Sequence, residues 1–187
     1  FLIPNKKANE FNNFKISNAN SITVNPQKIL GIAKTSSILL VSNIDFLKKT
    51  FLTGLPYIDS SDDVINRGEL GVQGSRPAEI IKLWLGLRFL GIDGIEKILS
   101  KSIIKKLLFL KFLDKTKYDI LSGPLHIISF SPKNMNIEES NNWTLKIKKV
   151  LLENNFMISR PYYKGKYFLR VVFGNYNTKE PHILELT

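Results

Sequence analysis

Ser21-Ile22-Thr23-Val24-Asn25-Pro26-Gln27-Lys28 is the stretch that orders the rest of the chain. A β-branched, apolar run stops at Asn-Pro, and one polar residue later comes a lysine. Isoleucine, threonine and valine favour a strand, and proline cannot donate to a sheet ladder, so the strand ends there. The lysine is thereby delivered into an irregular turn at the strand's C-terminal tip. In α/β folds such tips are where ligands and cofactors gather. A lysine there, flanked by buried structure, can be activated as a nucleophile or Schiff-base former. By itself the tetrapeptide Asn25-Pro26-Gln27-Lys28 also describes a solvated surface turn, which is what most such tetrapeptides are.

The sequence beyond the lysine narrows the choice. Ile29-Leu30-Gly31-Ile32-Ala33-Lys34-Thr35-Ser36-Ser37 leads into a second apolar strand, Ile38-Leu39-Leu40-Val41. Further on, Leu70-Gly71-Val72-Gln73-Gly74-Ser75-Arg76-Pro77 runs into Ile80-Ile81-Lys82-Leu83-Trp84-Leu85, and Phe168-Leu169-Arg170-Val171-Val172 precedes Asn175-Tyr176-Asn177-Thr178. In content, order and spacing these three blocks resemble the group II pyridoxal-phosphate decarboxylases, which include the glutamate, aromatic amino acid, diaminobutyrate and cysteine-sulfinate decarboxylases. The first block resembles the family's cofactor-lysine region. The second resembles its glycine/serine-arginine segment and the Leu-Lys-x-Trp helix after it, and the third a strand of its C-terminal domain. The resemblance covers essentially all 187 residues.

The resemblance implies an α/β fold: the C-terminal part of the large domain of a PLP-dependent transferase of the aspartate aminotransferase-like type I, plus a small α+β C-terminal domain. Residues 1–113 would be the end of the cofactor-binding domain and residues 114–187 the small domain. In the family the cofactor lysine lies well past the middle of the polypeptide, whereas this chain starts at Phe1 and reaches it at Lys28. The chain therefore reads as the C-terminal part of a decarboxylase.

Composition sets bounds on this reading. With 43% hydrophobic residues the chain can bury a core. It has no cysteine, which removes disulfides and thiolate metal sites. Its apolar runs are interrupted by lysines and are too short to span a bilayer, and no signal-peptide layout opens the chain. A cytoplasmic protein without membrane partners is the expectation. The net charge of +11 is the argument for a nucleic-acid partner. However, the densest lysines (Lys97, Lys101, Lys105, Lys106, Lys111) fall at helical spacing opposite Ile95, Ile98, Leu99, Ile103 and Leu107, the pattern of a solvated helix face. The aromatics are not interleaved with the basic residues as a stacking platform, so no nucleic acid is expected.

The pattern predicts strands at 21–24 and 38–41, a short helix near Asp45 to Phe51 and a long loop from Gly54 to Gly74. A helix from Ala78 to Leu90, apolar almost all round except for Glu79, Lys82 and Gly86, is expected to be deeply buried. Gly91 ends it, and Asp93 with Glu96 forms a capping-box pattern for the lysine-striped helix that follows. Beyond Asp114 the pattern predicts strands at 125–130, 157–159 and 167–173. Between the first two of these lies a helix with Trp143, Ile147, Val150 and Leu151 on its inner face.

The resemblance also assigns roles. Lys28 would bind pyridoxal 5'-phosphate covalently, and Asn25 would help to hold its phosphate. Gln27 stands where many members have histidine; it can donate a hydrogen bond but cannot carry charge. Gly74 and Ser75 would reach the cofactor phosphate of the neighbouring subunit in a homodimer, the alternative for Ser75 being a plain helix cap. Tyr57, in the Gly54–Gly74 loop, would return a proton to the substrate across the dimer. Arg170 would meet a carboxylate of the amino acid substrate, a structural ion pair being the alternative. Arg76 has two readings, pairing with an acid or facing solvent. His126 and His182 are isolated, so no metal site is expected. The aspartate that pairs with the pyridine nitrogen is expected upstream, so this piece alone would be inactive. The rival readings are a noncatalytic or pseudo-enzyme remnant of the same fold and a basic nucleic-acid-interaction domain.

Overall fold

The computed structural model describes residues 18–33, 36–54 and 66–186. The chain divides into two compact units, one comprising Asn12–Gly91 and the other taking in Ile92–Thr187.

In the first unit, β1 (Ser21–Val24) pairs antiparallel with β2 (Ile38–Val41), in a register running from Ser21 opposite Val41 to Val24 opposite Ile38. Asn-Pro stops β1 as its chemistry requires. The chain then makes one helical turn, α1 (Pro26–Ile29), with Pro26 buried in the first turn, where its missing N–H costs nothing. Helix α2 (Asp45–Phe51) follows, its first amide held by the Asn43 side chain at 2.8 Å. Within the expected long loop, Arg67–Leu70 forms a 3-10 turn capped by Asn66, whose side chain accepts from the Gly68 N–H at 2.9 Å. The remainder of that loop, 55–65, with Tyr57, lies outside the described residues.

Helix α3 (Ile80–Phe112) is two helical stretches joined at Gly91, which has φ 59° and ψ −176°. The expected stop at this glycine is therefore present. The expected deep burial of the preceding stretch is not. Leu83 is buried, but Ile80, Ile81, Trp84, Leu85 and Phe89 are all exposed, Phe89 at 89%. The packed strip runs instead along Leu83 and Gly86. A Cβ at Gly86 would stand 2.9 Å from Cγ1 of Ile32, so the absent side chain is what lets the helix approach the segment after Lys28. Hydrophobic patterning identifies surface that needs cover, but whether cover exists is a tertiary property, and none is supplied among the described residues.

The second unit is α+β. β3 (Tyr118–Ser122), β4 (Ile127–Pro132) and β7 (Leu169–Val172) form an antiparallel sheet in the order β3-β4-β7. Helix α4 (Ile137–Glu153) packs on it, opened by a capping box between Asn136 and Glu139. A hairpin of β5 (Tyr162–Tyr163) and β6 (Lys166–Tyr167) turns through Lys164 and Gly165, both at positive φ. Helix α5 (Glu180–Glu185) closes the unit. The core comprises Phe109, Leu113, Ile128, Phe130, Leu169, Val171, Phe173 and Ile183, with Trp143 and Ile147 packed against it. Phe109 stacks at 5.5 Å on Phe173 and 5.9 Å on Phe130. Arg160 ties α4 to the hairpin, its guanidinium 3.5 Å over the Tyr167 ring and its Nε donating to Thr144 Oγ1 at 2.9 Å.

Three local expectations change. The 157–159 segment is not a strand; only Ser159 bridges to Arg170. Val150, expected on the inner face of α4, is 43% exposed. The lysine face of α3 is only partly solvated. Lys106 is buried and donates to the Gly123 carbonyl at 2.7 Å, and Lys105 donates to that of Asn175 at 2.8 Å. A lysine stem is long enough to lie in apolar packing while its ammonium finds backbone oxygen, so spacing alone could not separate these two from their neighbours. No described helix is long and apolar enough to cross a membrane.

Candidate cofactor site

The turn after β1 presents three of the residues singled out from sequence. Lys28 is exposed, in the last turn of α1, with its backbone N–H bonded to the Asn25 carbonyl at 3.1 Å. Buried residues flank it, Pro26 before and Ile32 after, while Lys28 itself is exposed. Asn25 occupies the N-cap position of α1, but its side chain makes no cap bond. Its Oδ1 instead accepts from the Ser37 hydroxyl at 2.6 Å, with Gln27 Nε2 farther off at 3.5 Å. Gln27 Oε1 and Ser36 Oγ are shielded from solvent, and neither has a partner among the described residues. Buried polar atoms are rarely left without partners, so this cluster is incomplete as it stands. An exposed amine, an amide donor and the unmatched Ser36 hydroxyl fit an anionic carbonyl cofactor in chemical type.

Gly74 and Ser75 lie in the same unit, on the loop that leads into α3. Helix α3 begins at Ile80, so Ser75 lies outside it and is not its cap. A Cβ on Gly74 would meet none of the described residues within 4 Å. Arg76 is exposed, the second of its two readings, while its guanidinium is also bonded to backbone. Its Nε donates to the Gln73 carbonyl at 3.0 Å and its Nη2 to that of Arg67 at 2.9 Å. It clamps the Arg67–Gln73 segment from within, an interaction invisible in sequence because backbone acceptors carry no residue signature.

Arg170 belongs to the other unit. It is exposed on β7, its Nε donating to Ser159 Oγ at 2.9 Å, and it enters no ion pair among the described residues. It lines a groove of about 810 Å³ together with Ser159, Met157, Asn175, His182 and Leu186. His182 is committed locally, its Nδ1 accepting from the Lys179 N–H at 3.2 Å. His126 is half-buried, and its pKa is lowered by desolvation and by the nearby Lys106 charge. The structure thus gathers Asn25, Gln27 and Lys28 on one turn and sets Gly74 and Ser75 on a loop of the same unit.

Residues 1–123 match the pyridoxal-dependent decarboxylase conserved domain, and the chain belongs to that family. The aromatic-L-amino-acid decarboxylase of Bacillus atrophaeus is 28% identical over 181 residues, covering 91% of this chain and 38% of that protein. The chain therefore spans well under half the length of this relative. Among solved structures, the Oryza sativa TDC, determined with PLP and tryptamine, superposes with a TM-score of 0.76 at 16% identity. That match covers 89% of this chain and 37% of the rice protein. The Catharanthus roseus tryptophan decarboxylase, in complex with L-tryptophan, gives a TM-score of 0.72 at 18% identity over 90% of this chain and 35% of its own. Mouse CSAD in apo form gives 0.68 at 20% identity, over 90% and 38%. These likenesses establish the α/β fold of the PLP-dependent decarboxylases and transferases, in agreement with the sequence reading.

Proposed function

We propose that this chain provides the cofactor lysine and the small C-terminal domain of a PLP-dependent L-amino acid decarboxylase, a carboxy-lyase that releases CO2 and an amine. The observation that carries the proposal is the position of Lys28, exposed at the tip of a strand on the Asn25–Lys28 turn, inside the stretch that matches the family. Pyridoxal 5'-phosphate, when bound, would supply an electron sink for loss of the carboxylate. Lys28 anchors that cofactor covalently through its amine. Asn25 helps to hold its phosphate, and Gln27 donates a hydrogen bond to the cofactor. Gly74 and Ser75 serve the phosphate of the partner subunit in a homodimer, and Tyr57 delivers the proton that replaces the carboxylate. Arg170 holds a substrate carboxylate. Residues 1–113 act as the end of the cofactor-binding domain and 114–187 as the small domain, in a cytoplasmic enzyme that uses neither nucleic acid nor membrane as partner.

By itself the chain is inactive in this reading, because it spans 38% of its relative and the aspartate for the pyridine nitrogen is expected in the remainder. The test therefore uses the complete protein. Borohydride reduction in the presence of pyridoxal 5'-phosphate, followed by peptide mapping, is expected to fix the label on Lys28. A label on Lys34 or another lysine sinks the assignment. A screen for amine release over the common L-amino acids then identifies the substrate, and failure of every amino acid would favour the noncatalytic remnant.

A further inference from the structure

We propose that Ser37 is a positioning residue, whose hydroxyl turns the Asn25 amide so that its Nδ2 group, rather than its oxygen, is presented to the cofactor phosphate. The proposal rests on the functional reading above and adds to it a residue to which neither sequence nor resemblance gave a role.

The geometry starts from strand register. Val24 opposes Ile38 in the antiparallel β1–β2 pair, so the next position outward sets Asn25 against Ser37. Their side chains meet at 2.6 Å between Ser37 Oγ and Asn25 Oδ1. A serine hydroxyl can donate or accept, so its presence alone does not choose an amide orientation. The distance does. It belongs to the O–H···O range and is shorter than an N–H···O bond, so the hydroxyl donates and the amide oxygen faces it. Gln27 Nε2, the other group near the same oxygen, is also a donor. With Oδ1 so occupied, the Nδ2 group makes no hydrogen bond among the described residues.

A competing interaction explains why a fixing group is needed. Asparagine at an N-cap normally turns its side-chain oxygen back onto the first free amides of the helix. Asn25 holds the N-cap position of α1 yet makes no such bond. Ser37 draws the oxygen away from the cap, and the amino group, on the turn that carries Lys28, is left without a partner among the described residues. An uncommitted N–H donor beside the anchoring amine is what a phosphate ester requires. Without the Ser37 hydroxyl, the oxygen is free to return to the cap and take the donor with it.

The test compares pyridoxal 5'-phosphate with pyridoxal, which lacks the phosphate, in the complete protein. Ser37→Ala is expected to weaken pyridoxal 5'-phosphate binding about tenfold, the loss of one charge-assisted hydrogen bond, and to leave pyridoxal binding unchanged. Ser37→Thr, which keeps the hydroxyl, restores the affinity. In an Asn25→Ala background, Ser37→Ala produces no further loss, because Ser37 acts only through Asn25. The phosphorus-31 resonance of the bound cofactor shifts in Ser37→Ala and Asn25→Ala alike. Equal weakening of both ligands, or losses that multiply in the double variant, would make Ser37 a structural residue of the turn and overturn the proposal. Wild-type protein that takes up no pyridoxal 5'-phosphate overturns the functional reading itself. Wild-type uptake with an unaffected Ser37→Ala variant overturns only the role of Ser37.

Discussion

Gly86 shows how much one missing side chain controls. The helix lies so close to Ile32 that an added Cβ would sit 2.9 Å from Cγ1 and 3.1 Å from Cδ1 of a residue that is 7% exposed. Gly86→Ala gains helix propensity of about 1 kcal/mol but forces Ile32 out of its place, at a cost of about 1–3 kcal/mol. The expected net result is a lower urea midpoint for the isolated chain, partly recovered by Ile32→Val. An unchanged or raised midpoint would show that the neighbour yields freely. In sequence this glycine looked like one member of a narrow polar stripe, because a residue without a side chain scores as non-apolar whether it faces water or a tight contact. The lysine turn was legible for the opposite reason. A β-branched run cut by Asn-Pro is a local instruction, and the chain obeys it between Ser21 and Ile29. The Ser37–Asn25 bond and the Arg76 clamp were not legible, since the first depends on strand register and the second on backbone oxygens.

Among the elements, β4 illustrates coupling between a strand and its charge environment. His126 immediately precedes it, half-buried, with desolvation and the Lys106 charge both disfavouring its protonated form. The folded-state pKa is thus below the ordinary value of 6.5. Below that value the unfolded chain takes up a proton that the folded chain refuses. The stabilisation is therefore complete above the ordinary histidine value and is lost as the pH falls toward the folded pKa. Thermal unfolding of the chain is expected to show a falling midpoint on acidification from pH 7 to 5, and His126→Gln flattens that dependence. Asp114, held at about 2 by hydrogen bonds from Thr116 and by Lys117, stays ionised throughout this window and does not confuse the measurement. Reading elements from sequence succeeded where periodicity was long, as in α4, and failed for β3. Its five residues, Tyr118 to Ser122, alternate too weakly to announce a strand and are recruited by pairing with β4. The segment at 157–159 erred the other way, apolar enough for a strand but with only one bridge to β7.

For the molecule as a whole, two opposing surface properties decide behaviour in solution. Ile80, Ile81, Trp84, Leu85 and Phe89 leave a broad apolar face on α3 uncovered by described residues. Such a face favours association. The excess of 27 basic over 16 acidic residues opposes it by repulsion. The chain produced alone is expected to self-associate more strongly at 0.5 M than at 0.05 M salt, as screening removes the repulsion. Sedimentation velocity measures this directly, and Ile81→Ser with Phe89→Ser should abolish the salt-induced species. Association that weakens with added salt would place its cause in charge pairing instead. The family was legible from three blocks of sequence, whereas the bare face was not, because apolar composition does not report what stands opposite.

Gly91 carries a consequence for how the chain melts. Its φ of 59° with ψ of −176° lies in a region that essentially only glycine occupies, and it interrupts the ladder of α3 between Leu90 and Ile92. Helix growth is cooperative because each new bond is built on the previous one, so order cannot propagate through that interruption. Fraying that starts at Ile80 is arrested before it enters the stretch whose Phe109 anchors the second core. Amide exchange along Ile80–Phe112 should therefore fall into two protection classes, with the step between them at Gly91.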